Sequence, residues 1–104
     1  MAGALQVFRA LADPTRRQIL QELRDGPLAA GEIVSRFDIS APSVSRHLSI
    51  LKAAELVSER RQGNRIIYSL EPEQLAFCLG DFLGAVCPSQ VLERRRIRRG
   101  GAKR

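Results

Sequence analysis

Apolar residues in the first half of the chain recur at helical spacing. Leu5, Phe8, Leu11 and Ala12 predict a short first helix. Asp13-Pro14-Thr15-Arg16 then reads as a fresh helix start, with Asp13 as the capping carboxylate and Pro14 in the first turn. Ile19, Leu20 and Leu23 form the apolar face of this second helix, and Gly26-Pro27 ends it. Ile33, Val34 and Phe37 predict a third helix, and Asp38-Ile39-Ser40 a tight turn into a fourth that runs to about Ala54. On the fourth helix Val44, Leu48 and Leu51 fall within about 60° of arc. Pro42, Arg46, Ser49 and Ala53 take the opposite side, flanked by Ser43 and Ser45.

The period then changes from helical to strand-like. Leu56 to Arg61 and Arg65 to Leu70 flank Gln62-Gly63-Asn64, which predicts a β-hairpin. Pro72 restarts a helix whose apolar stripe is Leu75, Leu79, Phe82, Leu83 and Val86, and Cys87-Pro88 ends it. The fold class is therefore mainly α with a small β-hairpin, in a single domain over residues 1–92.

Two short helices joined by a tight turn and followed by a hairpin are the parts of a winged helix-turn-helix, and the side chains suit DNA. A major groove about 12 Å wide admits one helix, and short polar side chains with arginine reach base edges. Ser40, Pro42, Ser43, Ser45, Arg46, His47 and Ser49 are the candidates on the fourth helix. Arg60, Arg61, Gln62, Asn64 and Arg65 crowd the hairpin tip, as a phosphate or minor-groove contact requires.

Several stretches also carry a family likeness: Phe8 to Arg17 (FRALADPTRR), Ser40 to Leu51 (SAPSVSRHLSIL), Ala54-Glu55-Leu56-Val57, and the wing Arg60 to Tyr68 (RRQGNRIIY). Together they resemble the ArsR/SmtB family of small dimeric bacterial repressors over about residues 5–75. The resemblance implies that Ser40 to Ser49 form the recognition helix and that the arginine-rich tip is the wing. Glu55 stands where the family usually has glycine. A left-handed cap there costs a non-glycine residue about 1 kcal/mol, so a differently shaped turn is expected.

Two terminal stripes have no assigned partner in so small a winged body: Leu5, Phe8 and Leu11 at one end, and Leu75, Leu79, Phe82 and Val86 at the other. They are expected to pack together and onto a second copy, as the terminal helices of the family do. A symmetric dimer presents two recognition helices to half-sites roughly 34–36 Å apart.

Neither metal-site pattern of the family is present. The third helix has no cysteine, and the chain's one histidine, His47, lies in the DNA-reading helix, where packing and a phosphate contact suit it better than ligation. No metal and no cofactor is expected. Cys78 and Cys87 are nine residues apart, which on one helix sets them about 180° apart with roughly 13 Å of rise, too far for an intrachain disulfide. A repressor without a small-molecule site of its own, controlled by its level or by a regulatory protein partner, fits best. The alternative is a thiol-, persulfide- or metal-responsive repressor using Cys78 and Cys87.

The net charge of +6 comes from one end of the chain. Residues 1–93 hold 10 basic and 11 acidic side chains, whereas residues 94–104 hold seven basic residues and no acid. Residues 93–104 are expected to be a flexible basic tail, and such tails are weak evidence for a nucleic-acid partner. The rival class it suggests, an RNA-binding protein, lacks interleaved aromatics, with four Phe and one Tyr mostly on core stripes. An enzyme is disfavoured by a single histidine, no phosphate loop and no nucleophile motif. No apolar run approaches the roughly 18 residues of a membrane span, and Met1 to Ala4 lead straight into a helical pattern, so a cytoplasmic protein without membrane insertion is expected.

Overall fold

A computed structural model describes residues 2–89. The expected domain boundary and basic tail lie outside the described residues. The elements are α1 (Ala4–Leu11), α2 (Pro14–Glu22), a 3₁₀ turn (Leu23–Asp25), β1 (Leu28–Ala29), α3 (Ala30–Ser35), α4 (Ala41–Ala53), β2 (Val57–Gln62), β3 (Arg65–Leu70) and α5 (Pro72–Val86). The order is that of a winged helix-turn-helix.

Local chemistry sets the helix starts. Asp13 Oδ1 accepts from the backbone N–H groups of Thr15 at 2.8 Å and Arg16 at 3.2 Å, while Pro14 takes the first turn of α2. These are two of the four amide donors that a helix start leaves without partners. Ser40 caps α4 in the same way, its hydroxyl accepting from Ser43 N–H at 3.3 Å. For α3 the Glu32 carboxylate reaches back to Ala29 N–H at 2.8 Å.

The helices close over one core. Val7 and Ala10 from α1, Ile19 and Leu20 from α2, Ile33 from α3, and Val44, Leu48 and Leu51 from α4 are all buried there. Leu23, Ala54, Leu56, Val57 and Cys78 complete it. The inner face of α1 is thus Val7 and Ala10, residues outside the stripe expected to pack with the last helix. Leu5 and Phe8 face outward, and only Leu11 leans on the buried cluster. An eight-residue helix with apolar residues on both sides has no periodicity that distinguishes its inner face.

The hairpin is part of a three-stranded antiparallel sheet of order β1-β3-β2. β1 escaped the pattern because two residues have no alternation; it pairs Leu28 with Tyr68 and Ala29 with Ile67. Gln62, placed in the turn by sequence, pairs with Arg65 instead, so the connection is only Gly63-Asn64. Gly63 has φ +66°, the geometry that puts glycine first in a two-residue hairpin loop. Phe37 also lies just beyond α3, its N–H donating to the Val34 carbonyl at 3.2 Å in the following turn.

The turn at Glu55 keeps the left-handed form, against expectation: φ is +61°. Leu56 N–H donates to the Leu51 carbonyl at 3.0 Å and Glu55 N–H to the Lys52 carbonyl at 2.9 Å, the paired bonds of a Schellman motif. Leu51 and Leu56, the residues such a motif brings together, are both fully buried. Burying a leucine side chain is worth about 1.5–3 kcal/mol, more than the strain of roughly 1–2 kcal/mol at Glu55. The Glu55 carboxylate also accepts from Ala2 N–H. Glu55→Gly is expected to raise unfolding free energy by about 1 kcal/mol, read as a higher urea midpoint at unchanged slope. A lower midpoint would mean that the Ala2 contact outweighs the backbone strain.

Candidate nucleic-acid interface

With Val44, Leu48 and Leu51 buried, the opposite face of α4 must be open. Pro42, Ser43, Ser45, Arg46 and Ser49 are all exposed there. Ser40, at the helix start, donates its hydroxyl to Ser43 Oγ at 3.0 Å, which orders the two hydroxyls at the leading end. His47 differs from the rest of the predicted set. It is half-buried, and its Nδ1 lies 3.2 Å from Arg16 Nη1.

Arg60, Arg61, Gln62, Asn64 and Arg65 are exposed around the hairpin tip. Register divides the arginines. Arg60 pairs with Ile67 and Arg61 with Ile66, so successive side chains on β2 leave opposite sides of the ribbon. Arg60 and Arg65 share one side, and Arg61 takes the other. Arg65 is also partly spoken for, lying 3.3 Å from Glu32 at the start of α3. Among the described residues, Arg24, Arg36, Lys52 and Arg65 each pair with a carboxylate, whereas Arg9, Arg16, Arg17, Arg46, Arg60 and Arg61 do not, Arg16 and Arg17 being bound to backbone carbonyls of α1 instead.

Three ties fix α4 against its surroundings, and sequence reasoning assigned none of them. Lys52 near the end of α4 pairs with Glu59 of β2, and this bond holds the Lys52 ammonium above its ordinary value. Gln74 of α5 donates to the Ala54 carbonyl at 3.1 Å and to the Ala2 carbonyl at 3.4 Å. Arg16 holds His47. The partners are 7, 20 and 31 residues apart, so only the fold brings them together.

The terminal helices meet as expected. Phe8 and Phe82 stack edge to face, with centroids 5.4 Å apart and planes at 75°. Leu11 and Leu75 lean on the core, and Leu79 is half-buried. Leu5 (63% exposed), Phe82 (49%) and Val86 (60%) stay open, joined by Phe77 at 72%, which no stripe in the sequence had included. Cys78 is buried and Cys87 half-buried at the end of α5, both as free thiols. Among the described residues no three His, Cys, Asp or Glu side chains gather as a metal site.

Comparison with known proteins agrees with this geometry. The family model for bacterial regulatory proteins of the arsR family matches residues 13–59. The transcriptional repressor SdpR of Bacillus subtilis (strain 168) is 55% identical over 64 residues, covering 62% of this chain and 71% of that protein. The chain belongs to the ArsR family. The HTH-type transcriptional regulator Rv2034 of Mycobacterium tuberculosis (strain ATCC 25618 / H37Rv) is 48% identical over 71 residues, 68% of this chain and 66% of its own. The crystal structure of an ArsR family transcriptional regulator superposes with a TM-score of 0.73 at 31% identity, over 90% of this chain and 97% of that one. This ArsR-family protein is a DNA-binding transcriptional regulator and not an enzyme.

Asp13 stands where α2 begins and close to His47. Partial burial pushes its carboxyl upward, but the N–H groups of Arg16 and Thr15 and the nearby guanidinium of Arg16 outweigh it, so the net displacement is below the ordinary 3.8. A depressed carboxyl stabilises the fold above the unfolded value, and that stability is lost as pH falls through the folded one. Asp13→Asn keeps a capping oxygen without the charge. It should be less stable than wild type at pH 7, and the two urea midpoints should converge as the pH drops below about 3.8. A gap that persists at low pH would place the difference in packing rather than charge.

Proposed function

We propose that this ArsR-family regulator is a homodimeric repressor that reads a palindromic operator near its own or an adjacent gene. α4 lies in the major groove and the β2–β3 tip rests on the backbone or in the minor groove. The observation that carries this reading is where the unpaired cations fall. Residues 1–93 carry a small acidic excess, yet of the six described arginines without a carboxylate partner three, Arg46, Arg60 and Arg61, stand on the outer face of α4 and on the wing, while Arg16 and Arg17 are held by backbone carbonyls of α1. Ser40, Pro42, Ser43, Ser45, Arg46 and Ser49 face the bases or the adjoining backbone; His47, Arg60, Arg61, Gln62, Asn64 and Arg65 face phosphates and sugars.

The second copy covers the apolar surface of α1 and α5, where Leu5, Phe8, Phe82 and Val86 are joined by Phe77. The site of action is the cytoplasm, and no described helix is long and apolar enough to cross a membrane. Control comes through the protein's level or a regulatory protein partner. A thiol signal would act first at Cys87, since Cys78 is enclosed in the core.

The test is a gel shift on the duplex upstream of the protein's own gene, with random duplex and RNA as competitors. Retention by that duplex alone supports the reading; preference for RNA overturns it. Arg46→Ala should cost about 1–3 kcal/mol on the operator and much less on random duplex. The Arg60→Ala, Arg61→Ala double variant removes four charges per dimer. It should make the slope of log affinity against log salt shallower by about 3–4 and weaken both kinds of duplex together. An unchanged slope would lift the wing off the backbone. Phe82→Glu should sediment as a monomer and lose operator binding, whereas a wild type that is monomeric at micromolar concentration would refute the dimer.

A further inference from the structure

The guanidinium of Arg16 joins elements that are far apart in the chain. Nε donates to the Ala10 carbonyl at 2.7 Å and Nη2 to the Arg9 carbonyl at 3.0 Å, both in the last turn of α1. Nη1 lies 3.2 Å from His47 Nδ1 in α4. The root of the side chain is held as well, since Arg16 N–H donates to Asp13 Oδ1. Arginine carries donors only, so Nδ1 must be the acceptor in this contact. That requires a neutral imidazole with its proton on Nε2.

His47 sits at the border of the two faces of α4, between exposed Arg46 and buried Leu48. An apolar stripe tolerates a small roll of the helix about its axis, because dispersion contacts have little directionality. A hydrogen bond does not. A roll of about 10° moves a side-chain tip some 5–6 Å from the axis by about 1 Å, enough to misplace a bidentate base contact.

We propose that Arg16 is a positioning residue for DNA reading. By holding His47 as the Nε2–H tautomer and the end of α1 at the same time, it fixes the roll of α4 relative to α1. The proposal rests on α4 being the reading helix. It makes α1 and the operator-facing side chains parts of one rigid unit, joined through a single planar cation.

The chain has one histidine, so its imidazole nitrogen signals need no assignment. In the free full-length protein at neutral pH, a long-range proton–nitrogen correlation should show the Nε2–H tautomer alone. Arg16→Lys keeps the charge but supplies a point donor that cannot span both sites, so the tautomers should mix. With the duplex upstream of the protein's own gene and a random duplex as probes, Arg16→Lys should lower the ratio of the two affinities about tenfold while leaving random-duplex affinity as it was. His47→Ala should lose the same ratio. His47→Asn offers an acceptor oxygen near the Nδ1 position and should keep the ratio within about twofold of wild type. All affinities are read at a temperature where circular dichroism shows each variant folded. An Nδ1–H tautomer in the wild type overturns the proposal, as does an Arg16→Lys variant with the wild-type ratio. A wild type that does not distinguish the two duplexes overturns the reading beneath it, and the tautomer result, which needs no DNA, separates that failure from failure of the Arg16–His47 tie.

Discussion

Val44, Leu48 and Leu51 can be buried together in only one orientation of α4, and the other functional features depend on that orientation. These residues are 2% exposed or less and share a core with α1, α2 and the start of β2. Once the stripe faces inward, Ser43, Arg46 and Ser49 have no direction left but outward. The same burial carries through the end of the helix, where Leu51 and Leu56 lie on either side of the left-handed turn and pin the first residue of the wing. Loss of Leu51 to alanine would cost about 2–5 kcal/mol, which for a domain of this size is a large share of total stability.

Polar ties then refine what the apolar core sets coarsely. Arg16 and Arg17 donate to the carbonyls of Arg9, Ala10 and Leu11, so two cations sit at the negative end of α1. Lys52 and Glu59 join α4 to the wing, and Gln74 joins the end of α4 to α5. Each exposed pair contributes little by itself. Their shared feature is direction, since each crosses from one element to another: α2 to α1, α4 to β2, and α5 to the end of α4.

The elements read correctly from the sequence are those with local punctuation. Asp13-Pro14 and Ser40-Ala41-Pro42 announce α2 and α4, Gly63-Asn64 announces the hairpin, and Pro72 announces α5. What was missed depends on pairing across the fold. β1 exists only through Tyr68 and Ile67, and the inner face of α1 is chosen by the core it meets, not by its own pattern. Likewise Glu55 was expected to reshape its turn, and the burial of Leu51 and Leu56 overrode that local preference. The residues facing outward on α4 and the wing were legible because their surroundings follow from alternation and helical period. The role of Arg16 was not, because its partner lies 31 residues away.

The register of the wing has a consequence for the angle at which the molecule can approach a double helix. Arg60 and Arg61 leave opposite sides of a two-stranded ribbon. A ribbon laid flat against a surface would touch it with one of the two and hold the other up to solvent. Only a ribbon that enters a groove edge-first can place a guanidinium on each wall, one on either phosphate strand. Because Lys52 and Glu59 fasten that ribbon to α4, the direction in which the wing points and the direction in which the outer face of the helix points are a single geometric choice.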